Sequence, residues 1–221
     1  MRASLLLLFL GILLVSCEKE ELSTCFDGIQ NGDETAIDCG GSCMPCDFQA
    51  SLDDGETPFD MYLSGISLKF IYGLNYEGGT IFYLDTINGS GFVTATEDQT
   101  TKLPWSNGSL IWSYALGEDI GTGLSNTNKI VAKQGPGEYA ASICNDLSIG
   151  EFSDWFLPSK DELDLMYWNL KMNDLGGFTN NFYWSSTEDF EGDSWIQNFA
   201  NGAQGSNFKE DLAFVRAVRS F

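Results

Sequence analysis

The chain has 221 residues, with 43% hydrophobic and 14% aromatic side chains, 11 Lys+Arg, 32 Asp+Glu and no His, for a formal net charge of −21. That apolar content is enough for a packed core, and the length suits one ordinary domain with accessories. Without His there is no Ser-His-Asp triad, Cys-His pair or imidazole metal ligand. The acidic balance argues against nucleic acid and sulfated polysaccharides, whose phosphates or sulfates need clustered Lys/Arg.

The N-terminus reads as an address. Residues 1–16 carry Arg2 and then an apolar run over 5–15, too short for a membrane span of about 20 residues. The run ends Leu14-Val15-Ser16-Cys17, which resembles a bacterial lipobox and implies lipid attachment at Cys17. Residues 17–24 form the tether, and Cys17-Glu18-Lys19-Glu20-Glu21 resembles a signal that sorts lipoproteins to the cell exterior in one Gram-negative phylum. The expected location is therefore the outer membrane, facing outward, held by acyl chains that each contribute about 0.8 kcal/mol per buried CH₂.

Residues 25–46 contain Cys25, Cys39, Cys43 and Cys46 among glycines and few apolar residues. Four thiolates suit zinc, whereas an exported chain favours two disulfides, of unspecified connectivity. The segment resembles a short Cys-rich module repeated in many secreted bacterial proteins. Asp27, Asn31, Asp33 and Asp38 offer hard oxygen ligands at short spacing and are candidate calcium ligands, although Ile29 breaks an EF-hand pattern. Residues 47–67 show little periodicity and read as a linker.

The main domain is read as 68–221. Residues 79–84 and 91–96 flank Asn88-Gly89 and predict a hairpin. Asp85-Thr86-Ile87 within its turn resembles a short O-glycosylation signal. Helical spacing follows over 128–134 and 138–147. A second helix starts after Pro158, where Ser159 and Glu162 form a capping box; Leu163, Met166, Tyr167 and Leu170 make its apolar face. Strands return at 182–187, 195–199 and 214–221, the last one expected beside the hairpin near Tyr83. The class is α+β.

Gly78-Gly79-Thr80-Ile81-Phe82-Tyr83-Leu84-Asp85, Ser153-Asp154-Trp155-Phe156-Leu157-Pro158-Ser159-Lys160-Asp161-Glu162-Leu163, Tyr183-Trp184-Ser185-Ser186-Thr187-Glu188 and Val215-Arg216-Ala217-Val218-Arg219-Ser220-Phe221 occur in that order. Together they resemble the Lcl C-terminal-like family and, similarly, the Fibrobacter major paralogous domains. The likeness extends distantly to the C-type-lectin-like and formylglycine-generating group. It implies a C-type-lectin-like fold with paired terminal strands, two main helices and a ligand-bearing loop region. The family's named member is an adhesin for sulfated glycosaminoglycans; this chain's charge has the wrong sign for sulfate.

Candidate ligand contacts are Asp193, Trp195, Gln197, Asn198, Asn201, Gln204 and Asn207, joined by Trp105 and Trp112 from an earlier polar loop containing Asn107. Aromatic rings stack on sugars, and amides and carboxylates pair with hydroxyls. Trp155 and Trp184 read as core, Cys144 as a small buried hydrophobe, and Arg216 and Arg219 as structural ion-pair partners. The expected function is a surface-anchored, non-catalytic lipoprotein that binds a glycan, polymer or protein. The alternatives are an assembly subunit of an envelope complex and, third, a carboxylate-dependent glycoside hydrolase.

Overall fold

The computed structural model describes residues 29–35, 37, 39–43 and 46–221. Cys17, Cys25, Asp27 and Asp38, together with the leader and tether, lie outside the described residues. The chain divides into two compact units, Met1–Cys46 and Asp47–Phe221.

In the first unit Cys39 and Cys46 form a disulfide, and Cys43 is disulfide-bonded as well. The oxidised alternative, not zinc, is the one adopted by these cysteines. Gly40 has φ +81° and a Cβ there would meet the Thr35 hydroxyl at 2.0 Å, so the turn between the cysteines requires glycine. Of the expected calcium ligands, Asp33 accepts the Ser42 hydroxyl at 2.8 Å, and the Asn31 amide donates to the Glu34 carboxylate at 3.0 Å.

The second unit begins earlier than expected. Residues 47–67 are not a linker: they contain α1 (Phe48–Asp53) and α2 (Pro58–Leu63), followed by α3 (Leu68–Ile71). Asp47 caps α1 by accepting the Ala50 amide. Thr57 and Asp60 form a reciprocal capping box around Pro58 at the first turn of α2. Each short helix places an apolar residue in the core, among them Leu52, Met61 and Ile71. Segments this short gain little from helix propensity, and such burial is what holds them.

A four-stranded antiparallel sheet has the order β1 (Asn75–Tyr76), β2 (Gly79–Leu84), β3 (Gly91–Thr94), β9 (Val218–Ser220). The expected hairpin is β2–β3, pairing Leu84 with Gly91 and Thr80 with Thr94. Asp85 ties its turn, and its carboxyl is held below the ordinary range by the Ile87 amide, then by Asn88. The next residues of the glycosylation-like triplet follow at the tip, where Ile87 is exposed.

A five-stranded sheet has the order β4 (Thr100–Leu103), β8 (Ala213–Val215), β5 (Phe182–Glu188), β6 (Asp193–Asn198), β7 (Gln204–Phe208), antiparallel except for β8 beside β5. The helices are α4 (Gly123–Gln134), α5 (Ala140–Asn145) and α6 (Lys160–Asn169). The mixed α+β class holds.

The last strand departs from expectation. It is not continuous over 214–221: β8 belongs to one sheet and β9 to the other, with Arg216 and Ala217 between them. Arg216 is buried and donates to Asp98 at 2.8 Å and to the carbonyls of Ala95 and Gly176, with its guanidinium 4.2 Å from the Phe178 ring centroid. This anchor breaks the strand's ladder and passes the chain from sheet to sheet. β9 then pairs with β3, Phe92 opposite Ser220, so the tail joins the hairpin on its β3 side. Arg219 pairs with Asp154 at 2.6 Å and Glu77 at 3.1 Å. Both arginines are structural, as expected.

The core lies between α6 and the two sheets. Leu163, Met166, Tyr167 and Leu170 pack with Phe82, Tyr183 and Phe199, and the Tyr183 and Phe199 rings sit 4.5 Å apart. Trp155 and Trp184 are buried, as is Cys144.

Candidate functional site

The expected binding hairpin exists as β6–β7, with Trp195 opposite Ser206, Ile196 opposite Gly205 and Gln197 opposite Gln204. Side chains alternate across a strand, and directly paired residues share a face. Asp193, Trp195, Gln197 and Gln204 therefore fall on one face, and Asn198 and Asn207 on the other. The first face is covered by α6. Gln197 is fully buried and donates to Asp164 at 2.6 Å and to the Gly202 carbonyl at 3.1 Å. Gln204 donates to the Lys160 carbonyl at 2.9 Å. The Lys160 ammonium stands 3.8 Å from the Trp195 ring centroid, occupying a stacking position on that ring.

The turn amides serve the turn itself. Asn198 accepts the Ala200 amide at 2.9 Å, and Asn201 accepts the Ala203 amide at 3.0 Å. Asn207 lies with Asn198, Phe182, Ile196 and Leu212 along a shallow groove of about 430 Å³. Trp105 is not on this surface: it is fully buried and its indole donates to the Ser185 carbonyl at 2.9 Å. Trp112 is half-buried, 5.9 Å from the Tyr114 ring, and its indole nitrogen and one Asp193 oxygen are buried without a partner. The proposed contacts are thus divided between two sheet faces, a turn and the core.

What the structure does gather is a different element. Residues 104–122 connect β4 to α4 with no helix or strand, a length of irregular chain that is uncommon in compact domains and usually functional. Two buried carboxylates fix its path. Glu188 is fully buried and ion-paired with the equally buried Lys209. It also accepts the Ser113 amide at 3.0 Å and the Ser113 hydroxyl at 2.9 Å, while its own amide donates to Ala115 at 2.8 Å. Lys209 in turn donates to the Glu191 carbonyl at 2.7 Å and lies 4.7 Å from the Trp105 ring; its carbonyl accepts the amides of Trp105 and Ser106. A buried pair is tolerable only when its remaining donors and acceptors are satisfied, and here the loop supplies those partners.

The second carboxylate is Glu162, the capping-box residue of α6. It accepts Ser159 at 2.7 Å and reaches Gly121 at 2.8 Å, so one side chain caps its own helix and holds the start of α4. This long-range cap accounts for α4 beginning at Gly123 rather than near Asn128, since the amides of Gly121 and Gly123 find their acceptor on α6. Burial pushes the Glu162 carboxyl above its ordinary pKa despite these amides. Between the two, Gly117 is held by Asn126 and by the Thr187 hydroxyl at 2.7 Å.

With its backbone tied inward and Trp105 and Ala115 buried, the loop turns a second set of apolar side chains outward. Leu110, Ile111, Tyr114, Leu116 and Ile120 are all exposed, Tyr114 the most at 62%. Tyr114 has φ +58°, the left-handed region that bulky residues rarely adopt. Its neighbours Ser113 and Ala115 both bond to Glu188, so the clamp imposes that conformation. None of these outward residues was among the expected contacts. The available signal was Leu110-Ile111-Trp112, an apolar run with no strand or helix period around it.

A family model for the Lcl C-terminal domain matches residues 94–219, and the chain belongs to that family. A solved fimbrial protein from Bacteroides ovatus ATCC 8483 is similar at 16% identity with a TM-score of 0.41, covering 58% of this chain. The chain matches only 35% of that protein's length. No curated protein matches the chain.

Proposed function

We propose that this chain is a non-catalytic recognition lipoprotein, anchored at Cys17 on the outer membrane and facing outward, that holds a protein partner through the loop 104–122. The observation that carries this reading is the clamped loop: its backbone is fixed by Glu188–Lys209 and Glu162, while Leu110, Ile111, Tyr114 and Leu116 face solvent. Exposed apolar groups on a preorganised segment favour a protein surface over a sugar, because they offer contact area without hydroxyl partners. Of the hairpin residues expected to bind a glycan, Gln197, Asn198, Asn201 and Gln204 are already bonded within the fold. Among the described residues no helix is long and apolar enough to cross a membrane, and the lipid is the proposed attachment.

The state of three buried groups supports the non-catalytic part. Cys144 is buried, and burial drives its thiol far above the ordinary range, leaving it without thiolate character. Glu162 and Glu188 serve as acceptors for backbone amides.

Two measurements test the reading. Cys17→Ala should release the protein from membranes, and full membrane retention would refute the anchor. The detergent-solubilised full chain, applied to arrays of proteins and of glycans, should bind protein spots and lose them on Leu116→Ser. Glycan binding that survives Leu116→Ser but vanishes with Asn207→Ala would return the site to the sheet.

A further inference from the structure

Where the loop leaves β4, a cleft of about 390 Å³ opens between Pro104, Asn107, Pro136, Glu138 and Glu210. We infer that this cleft seats a lysine or arginine side chain of the partner, an inference that rests on the protein-recognition role proposed above. Its walls are built in advance. The Asn107 side chain donates to the Gln134 carbonyl and the Asn107 backbone amide donates to the Gln134 side-chain oxygen; Gln134 also donates to the Ser109 carbonyl at 3.1 Å. On the opposite side Ala140 donates to the Pro104 carbonyl at 3.0 Å, and Ser142 donates to the Gly137 carbonyl at 2.8 Å. A Cβ on Gly137 would stand 3.1 Å from that of Asn107, so the two walls meet closely at the glycine.

The charge is one-sided. Glu138 and Glu210 are exposed, no basic residue lines the cleft, and neither carboxylate belongs to an ion pair among the described residues. The lysine next to Glu210 is Lys209, which points inward to Glu188. Two acids at a recess with low-dielectric walls concentrate a negative potential. The proline rings offer apolar walls for a methylene stem, and the carboxylates accept from its charged head.

A divalent ion fits less well. Calcium takes 6–8 oxygen ligands, and among the described residues no group of three acidic, Cys or His side chains converges. The position also matters: Gly108 lines the cleft, and exposed Leu110 and Ile111 follow directly. The matching feature on a partner is a basic residue beside aliphatic ones.

The test uses the detergent-solubilised full chain and two fluorescent peptides, acetyl-Leu-Arg-Leu-amide and its neutral citrulline counterpart, followed by anisotropy. The arginine peptide should bind at least tenfold more tightly, lose that advantage in Glu138→Gln/Glu210→Gln, and weaken as salt is raised. Tyr114→Asn should weaken both peptides while leaving their ratio intact. Equal affinity for the two peptides, an unchanged ratio in the double Gln variant, or no binding up to about 10 mM overturns the cleft assignment. Competition by calcium chloride with one-to-one stoichiometry overturns it as well. If the ratio fails while protein-array binding persists and remains sensitive to Leu116→Ser, the cleft is wrong and the recognition role stands.

Discussion

The hairpin β6–β7 and the loop 104–122 invite opposite guesses. The hairpin is rich in tryptophan, glutamine and asparagine, the residue types suited to a sugar. Its Gln197 and Gln204 nevertheless bond to α6, its Asn198 and Asn201 bond to its own turn, and Trp195 lies beneath Lys160. The loop uses polar backbone groups to hold itself down and leaves Leu110, Ile111, Tyr114 and Leu116 in water. Residue type indicates which interactions a side chain can make; the topology decides whether they are made within the fold or left for a partner.

This contrast can be broken most directly at its anchor. Lys209→Met leaves Glu188 buried without its cation and should cost about 3–5 kcal/mol, read by urea denaturation. A variant as stable as the parent would show that the pair does not hold the loop. On the hairpin, Gln197→Ala should cost about 1–3 kcal/mol by stranding Asp164 and the Gly202 carbonyl. Trp195→Ala should cost about 1 kcal/mol through the lost Lys160 contact. Both should lower the melting temperature while leaving binding on protein arrays intact; lost binding with unchanged melting would restore the hairpin as the site.

A pH profile sharpens the second anchor. Because burial raises the Glu162 pKa in the folded state, the folded chain holds that proton where the unfolded chain has lost it. Stability should therefore fall as pH rises from the unfolded value through the folded one. Glu162→Gln should remove that part of the slope in denaturation curves recorded across the acidic range. A slope identical to the parent's would contradict the shift. The smallest expected effect on stability is at Tyr114. Asparagine tolerates a positive φ better than tyrosine, so Tyr114→Asn should change stability by less than about 1 kcal/mol, in the favourable direction. Protein-array binding should nevertheless drop, and unchanged binding would remove Tyr114 from the contact surface.

Much of the scaffold was readable from local chemistry. Ser159 and Glu162 marked the start of α6 because capping is a relation across one turn. Asn88-Gly89 marked the β2–β3 turn because few residue pairs accept that backbone. The pairing of Arg216 and Arg219 followed from isolated cations on a strand in an acidic chain. Other features depend on long-range partners. α1 and α2 are too short to show periodicity, although Asp47 and the sequence Thr57-Pro58 with Asp60 carried capping signals. The division of the expected site was partly legible, since strand alternation alone separates Gln197 from Asn198. The loop was not, because its shape depends on Glu188 and Lys209, which are distant in sequence from the residues they hold.

The passage of the final strand from one sheet to the other also bears on how the molecule is made. Thr94 donates its hydroxyl to Ala217 across 123 residues of sequence, and Phe221 exchanges backbone hydrogen bonds with Gly91. The first sheet thus stays open along β3 until β9 is in place, and Asp98 likewise waits for Arg216. Contacts so distant in sequence form slowly. Closure of the first sheet therefore rests on this long-range pairing rather than on the local β2–β3 hairpin.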